Sequence, residues 1–259
     1  MTAEVWRFVS SGPLSGAENM ALDEAMLEAH AAGETPPTLR VYGWQPPAVS
    51  LGRFQRAEAS VDLRACRALA IDVVRRPTGG RAILHTRDEV TFSLVVSAAR
   101  LGTTGVMDAY RALSRGIIAA LQSLGLEAGL VERDAPASPA AAQDPACFAV
   151  KARCDLVVGS AKLVGSAQVQ RNGAILQQNS LPLRLSLADW RRVFPRSSQA
   201  PEAVGLCDAA GRPVAWDEVA QALRDGFASA FAVRFDPCYP TEAELARARD
   251  RTTSRIRAT

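Results

Sequence analysis

Residues 72–97 constrain the fold more than any other stretch. Asp72-Val73-Val74 ends in Arg75-Arg76, is broken by Pro77-Thr78-Gly79-Gly80, and resumes as Arg81-Ala82-Ile83-Leu84 before His85. A third run, Val90-Thr91-Phe92-Ser93-Leu94-Val95-Val96, alternates as a half-buried strand does. The pattern predicts strand, glycine turn, strand, loop, strand, which commits the chain to a sheet. Paired glycines let backbone approach a ligand closely and turn its N–H groups inward, because no Cβ blocks either move. Flanking arginines offer planar, multi-donor forks to a negative or polar group. Taken alone, a hairpin turn between solvated arginines accounts for the same residues.

The elements around this stretch are mixed. Val5 to Val9 reads as a first strand, and Ser15 to Ala32 as a helix with a Ser15/Glu18 capping box and Gly33 at its end. His30, near that end, reads as a surface or helix-dipole residue. Thr38–Tyr42 and Ala48–Leu51 read as strands split by Pro46-Pro47, Ser60 to Ala70 as a short helix, and Met107 to Leu124 as an amphipathic one. Residues 132–146 carry three prolines and few large apolar groups, the composition of a long loop. Beyond it, Asp155–Val158, Lys162–Gln168 and Ala174–Gln178 form a predicted meander, with turns at Gly159 and Asn172-Gly173. Leu187 to Phe194, Trp216 to Phe231 and Thr241 to Ile256 are helical patterns, with Val233-Arg234-Phe235 between the last two. The expectation is one domain of sheet and helices, with residues 205–259 as a helical addition.

At 259 residues and 48% hydrophobic, the chain can bury one large core. A net charge of +3 suits an acidic partner but lacks the clustered basicity of a nucleic-acid binder. No apolar run reaches membrane-spanning length and the start has no secretory pattern, so the expected setting is cytoplasmic. The five cysteines (66, 147, 154, 207 and 238) are odd in number and form no Cys-x-x-Cys pair, which supports neither a disulfide scaffold nor a zinc site.

Cys147 is the best nucleophile candidate, because it follows the long loop and a thiol there is reachable. Cys154, starting a strand, is the competitor, and Cys66 reads as a packed hydrophobe. A thiol with the usual pKa of about 8.5 is only a few per cent thiolate near neutrality and needs a charge or base beside it. Lys162 is a candidate for that role. Only two lysines occur among 30 basic residues, but Lys151 is just as rare and has no motif, so the pattern alone favours an exposed hairpin lysine over a functional one at Lys162. His85 is an acid/base, ligand-orienting or satisfied core histidine, with no second ligand at metal spacing.

Together, Arg75–His85, Glu89-Val90-Thr91-Phe92-Ser93 and Lys162-Leu163-Val164-Gly165-Ser166-Ala167-Gln168 resemble the signature blocks of the lipoate/biotin protein ligase superfamily. Trp6-Arg7-Phe8 and Asn19–Ala25 match that family's opening strand and helix, so the resemblance runs from about residue 5 to about 195. It implies an α+β fold with a mixed, largely antiparallel central sheet flanked by helices. Cys147-Phe148 ahead of Asp155–Val158 is similar to the cysteine-dependent octanoyltransferases of that superfamily. In these the cysteine carries an acyl thioester and the lysine of the Lys-x-x-Gly-Ser-Ala block activates it, which maps to Cys147 and Lys162. The resemblance further implies a substrate site from Arg76, Thr78, Gly79, Gly80, Arg81, His85, Gly165, Ser166 and Ala167. The implied donor is octanoyl-acyl carrier protein and the acceptor a lipoyl-type carrier domain, with no cofactor, metal, nucleic acid or membrane partner. Apolar residues of 82–84 and 163–164 would line a slot for the acyl chain. Three departures stand out: His85-Thr86 where the family has His-Asp, Cys154 at an aromatic position, and Gln177-Gln178-Asn179-Ser180 where Gln-His-Gly-Ser is usual. An ATP-dependent lipoate ligase, a lipoyl-domain amidotransferase and a non-catalytic acyl-protein binding module are the alternatives.

Overall fold

A computed structural model describes residues 3–103, 105–131, 144–151, 153, 155–197 and 201–256. Most of the predicted long loop, residues 132–143, and the competing thiol Cys154 lie outside the described residues.

The strands are β1 (Glu4–Leu14), β2 (Thr38–Trp44), β3 (Ala48–Leu51), β4 (Asp72–Arg75), β5 (Ile83–His85), β6 (Glu89–Ser97), β7 (Ala128–Leu130), β8 (Leu156–Val158), β9 (Ala161–Arg171), β10 (Ala174–Pro182) and β11 (Val233–Pro237). Eight of them form one sheet in the order β11-β1-β2-β6-β10-β9-β8-β7. Pairing is parallel for β11/β1 and β1/β2 and antiparallel for the rest, which is the mixed, largely antiparallel sheet expected. The other three form a small sheet in the order β4-β3-β5.

The helices are α1 (Gly16–Ala31), α2 (Ala57–Ser60), α3 (Leu63–Ala68), α4 (Ala98–Leu101), α5 (Val106–Ser123), α6 (Leu187–Val193), α7 (Leu206–Ala210), α8 (Trp216–Phe231) and α9 (Glu242–Ile256). The Ser15/Glu18 capping box is formed and fixes where α1 begins. The predicted short helix at 60–70 is two pieces, α2 and α3, with Asp62 accepting from the amides of Arg64 and Ala65 to start the second.

Strand β6 refines the sequence reading. Its alternation predicts one wet face, yet residues 89–96 are all buried. Val90, Phe92, Leu94 and Val96 join the main core beneath α5 and α8. Thr91 and Ser93 face a buried polar network instead of water: Ser93 Oγ donates to Asp23 Oδ1 at 2.8 Å, and Thr91 donates to Glu89. Helix α1 is buried on nearly all sides for the matching reason. Leu22, Ala25 and Met26 pack with Val95, Leu176 and Ala248, the last from α9, while Asp23 is in the network.

The glycine stretch also differs from a hairpin. β4 and β5 do not pair with each other; they lie on opposite sides of β3, parallel and antiparallel respectively. The connection across Arg76–Ala82 therefore spans the small sheet. Residues 205–259, read as a helical addition, place β11 at the edge of the large sheet and Phe227, Phe231 and Phe235 in its main core. Among the described residues no helix is long and apolar enough to cross a membrane.

Candidate active site

Cys147 lies in a 3-10 turn, Cys147–Ala149, whose neighbours Phe148 and Ala149 are buried while Cys147 itself is partly exposed. Backbone bonds fix the turn against the glycine stretch. The Cys147 amide donates to Ala82 O at 2.8 Å, and the Ala82 amide to Pro145 O at 2.9 Å. Gln55 Nε2 also donates to Pro145 O at 3.1 Å.

Lys162 enters from β9. Its amide donates to Glu202 O at 2.9 Å and its carbonyl accepts from Val204 at 3.0 Å, and the register of β8 against β9 shifts beside it, between Leu156 and Val157. A β-bulge of this kind re-aims side chains. Lys162 is only 1% exposed, and Nζ lies 2.6 Å from Asp155 Oδ2, 3.1 Å from Cys147 O and 3.3 Å from Cys147 Sγ. An exposed hairpin lysine is therefore ruled out. Burial by itself pulls this ammonium's pKa down; the charges of Cys147 and Asp155 and the hydrogen bonds to both outweigh it and leave the pKa above the ordinary lysine value. The Phe148 ring lies under the same ammonium, its centroid 5.4 Å from Nζ.

Gly165, three residues on, touches the sulfur: a Cβ built there would be 3.4 Å from Cys147 Sγ and 3.7 Å from Lys162 Cε. Any longer side chain at that position would cover the thiol. β8 stops at its pairing with Val164, so from Gly165 onward one edge of β9 is not taken up by β8. Ser166 Oγ donates to Asn179 Oδ1 at 2.8 Å, and Ala167 faces the glycine loop, 3.9 Å from where a Gly80 Cβ would be.

In that loop Gly80 holds a left-handed φ of +87°, and Arg76 fixes the shape. Arg76 is 3% exposed, and its donors go to Thr78 Oγ1, the carbonyls of Ser50, Gly79 and Arg81, and Ser50 Oγ. Burial lowers its pKa to about 10, partly offset by Cys147, so it remains a cation. The sequence reading gave this guanidinium to a ligand; the structure turns it inward, where it holds the turn that Gly79 and Gly80 make. Thr78 Oγ1 donates to Gln178 Oε1 at 2.9 Å, and Gln178 Nε2 donates to Asp23 Oδ2 at 2.7 Å. Asp23 also pairs with Arg40 at 2.7 Å and accepts from Tyr42 Oη at 3.0 Å. The glycine loop is thus tied through buried polar groups to α1 and β2. Gln178, at the position where the family usually has histidine, is the link.

His85 is a satisfied core histidine. Its Nε2 is 2.7 Å from Ser50 Oγ, its Nδ1 is 2.8 Å from Glu89 Oε1, and it stacks on Trp44 at 4.0 Å between centroids. The side chain of Arg81 is partly buried at the end of the loop. Leu163 and Val164, expected to line an acyl slot, instead belong to the main core. A small cavity of about 20 Å³ lies elsewhere, lined by apolar Met20, Trp44, Ile83 and Ala167 and by polar groups that include His85 and Gln178. Ala167, which lines it, and Gly165, which touches the sulfur, share a face of β9, two residues or roughly 7 Å apart.

The sequence reading missed two residues here. Asp155 was quoted only as the start of a strand; a lone acid ahead of an apolar run, in a chain with two lysines, was the available signal. Gly52 gave none: a Cβ there would be 1.9 Å from Gly80 O, so β3 and the glycine loop touch backbone to backbone.

A thiol, a buried lysine and a glycine loop thus meet on this two-sheet scaffold, and solved structures similar to it include lipoate ligases. A bi-partite lipoate protein ligase of Thermoplasma acidophilum superposes with a TM-score of 0.80 at 25% identity, covering 96% of this chain and 92% of that one. Lipoate-protein ligase A bound with ATP gives 0.80 at 26% identity over 98% and 95%. The sequence profile of the lipoyl protein ligase A/B catalytic domain matches residues 15–228, and the chain belongs to that family. Among its curated relatives, octanoyltransferase LipM of Kyrpidia tusciae is 44% identical over 90% of each chain, and that of Symbiobacterium thermophilum 41% over 92% and 91%.

Proposed function

We infer that this chain is an acyltransferase that moves octanoyl groups, the activity named for its 41–44% identical relatives, and that it does so in protein lipoylation; we propose that it works through a thioester on Cys147. The donor in this reading is octanoyl-acyl carrier protein, the acceptor a lysine of a lipoyl-type carrier domain, and the setting cytoplasmic. The observation that carries the proposal is the placement of a buried ammonium, Lys162 Nζ, 3.3 Å from a partly exposed thiol.

The chemistry balances without a nucleotide. The Cys147 thiolate attacks the donor thioester, the acyl group passes to Sγ, and the carrier thiolate leaves with a proton from Lys162. The acceptor amine then attacks the acyl-cysteine, an amide forms, and the amine proton returns to Lys162 as the Cys147 thiolate is released. Backbone N–H groups of Gly79-Gly80 or of the uncovered edge at Gly165-Ser166 are the donors available to the developing oxyanion. Thr78 and Arg76 act by holding that loop.

The test is intact-mass analysis after incubation with octanoyl-acyl carrier protein in the absence of ATP. A hydroxylamine-labile octanoyl adduct is expected on the wild type and not on Cys147→Ala. An adduct that persists in the variant overturns the cysteine mechanism, and transfer that demands free acid and ATP makes the chain a ligase, like the ATP-bound structure of its fold.

A further inference from the structure

We propose that Asp155 is a positioning residue for the acyl-transfer reaction, holding Lys162 as an ammonium aimed at Cys147 Sγ. The inference rests on the thioester reading above and adds a third member to its cysteine–lysine pair.

The place of the carboxylate carries it. Nζ lies 2.6 Å from Asp155 Oδ2, 3.1 Å from Cys147 O and 3.3 Å from Cys147 Sγ. An ammonium gives one hydrogen to each, with Cys147 as thiolate, whereas a neutral amine gives two and takes the thiol S–H on its lone pair, so either form satisfies the contacts. Asp155 separates the two, because only the ammonium meets its charge at contact distance. A carboxylate 4% exposed opposite an ammonium 1% exposed also supplies what burial would otherwise deny, a counter-charge at contact distance. Without it, the buried amine would keep its proton only by virtue of Cys147, and the proton would pass between nitrogen and sulfur to leave a neutral thiol and amine. The raised pKa of Lys162 agrees with this division of roles.

Among the described residues, two groups bear directly on this ammonium. Cys147 and Asp155 face it directly, and Arg76, from the glycine loop, bears on Cys147. Glu202, whose carbonyl accepts from the Lys162 amide, pairs its carboxylate with Lys151 at 3.0 Å. Asp155 itself is held at the mouth of β8, where its carbonyl accepts from Val131 at 3.0 Å. In the reaction the carboxylate neither bonds to substrate nor exchanges a proton. It fixes where the Lys162 hydrogens point while one of them moves to the leaving thiolate and another returns.

The experiment measures, against pH, the rate of Cys147 alkylation by iodoacetamide, followed on the Cys147 peptide by mass, and the rate of octanoyl-adduct formation. Asp155→Asn is expected to slow both near neutrality, by roughly 10- to 100-fold for acylation, to move the rising limb of the alkylation profile to higher pH, and to move the alkaline limb of the acylation profile to lower pH. Asp155→Glu should restore part of the rate and of each limb's position. In a Lys162→Met background the same Asp155→Asn change should alter alkylation less than about twofold, since Asp155 acts through the lysine. Should Asp155→Asn fail to fold, Asp155→Glu carries the comparison, with a profile shifted from wild type expected. Normal rates in the variant, or a loss uniform in pH that persists without Lys162, would overturn the proposal. Failure of the thioester reading looks different: the wild type would form no labile adduct, while the alkylation profiles would still report on Asp155.

Discussion

At the scale of single residues, the site depends on side chains that are absent as much as on those present. Gly165 is the clearest case, because a Cβ there makes only an ordinary contact with Cys147 Sγ. Packing does not demand glycine at this position; access to the sulfur does. Gly165→Val is expected to leave the protein folded and to slow Cys147 acylation at least about tenfold, on the scale of a positioning defect, measured as the rate of adduct formation. Lys162 gives a second prediction, through linkage. Its folded pKa lies above the ordinary 10.5, so the stability it contributes is present in full below that value and is lost as pH rises through the folded pKa. Denaturation of wild type and Lys162→Met at pH 8 and pH 11 should show the difference between them shrinking at the higher pH. A difference that grows would mean the ammonium is not the stabilised form.

At the scale of elements, two close approaches set the geometry. One joins β3 to the glycine loop at Gly52, where Gly80 O occupies the place of a Cβ. Backbone cannot rotate away as a side chain can, so Gly52→Ala should displace the loop. A loss of about 1–3 kcal/mol is expected, with Cys147 acylation falling too, since Ala82 of the same stretch holds the Cys147 amide. The other joins α5 to α8, where a Cβ on Gly226 would be 2.5 Å from Ala120 N and 2.6 Å from Gly116 O. Here the site is remote: Gly226→Ala should cost about 1–3 kcal/mol, read as a lower Tm, while the folded enzyme keeps its acylation rate. The pair of variants separates a glycine that shapes the site from one that only lets helices touch.

At the scale of the whole molecule, the carboxy-terminal residues close the structure on itself. Arg7 of β1 makes a bidentate pair with Glu244 of α9, both contacts at 2.9 Å and both side chains buried, and Glu244 also accepts from the Thr241 amide. Burial lowers the Arg7 pKa, and Glu244 and Cys238 more than restore it. Glu244→Ala leaves a guanidinium buried without its carboxylate, and a loss of about 3–5 kcal/mol is expected in chemical denaturation. Helix α9 also covers α1, the helix that supplies Asp23 to the polar network behind the glycine loop. Stability of the far end and the shape of the loop are coupled through that one helix.

The sequence by itself determined the elements that local chemistry decides: the capped start of α1, the turns at Gly159 and Asn172-Gly173, the meander β8–β9–β10, and the blocks that named the family. It also singled out Cys147 and Lys162, the first from its place after a proline-rich loop and the second from the block around it. The tertiary structure alone decided which neighbours those residues have. Nothing local distinguishes an arginine that meets a ligand from one that, like Arg76, folds back onto Ser50, Gly79 and Arg81. Nor does alternation in β6 reveal that its polar face is buried, because the groups that satisfy Thr91 and Ser93 come from Glu89 and from Asp23, the latter seventy residues away. Asp155 is the same lesson at the site. Its buried charge meets a counter-charge in Lys162, which arrives across a shifted β-strand register.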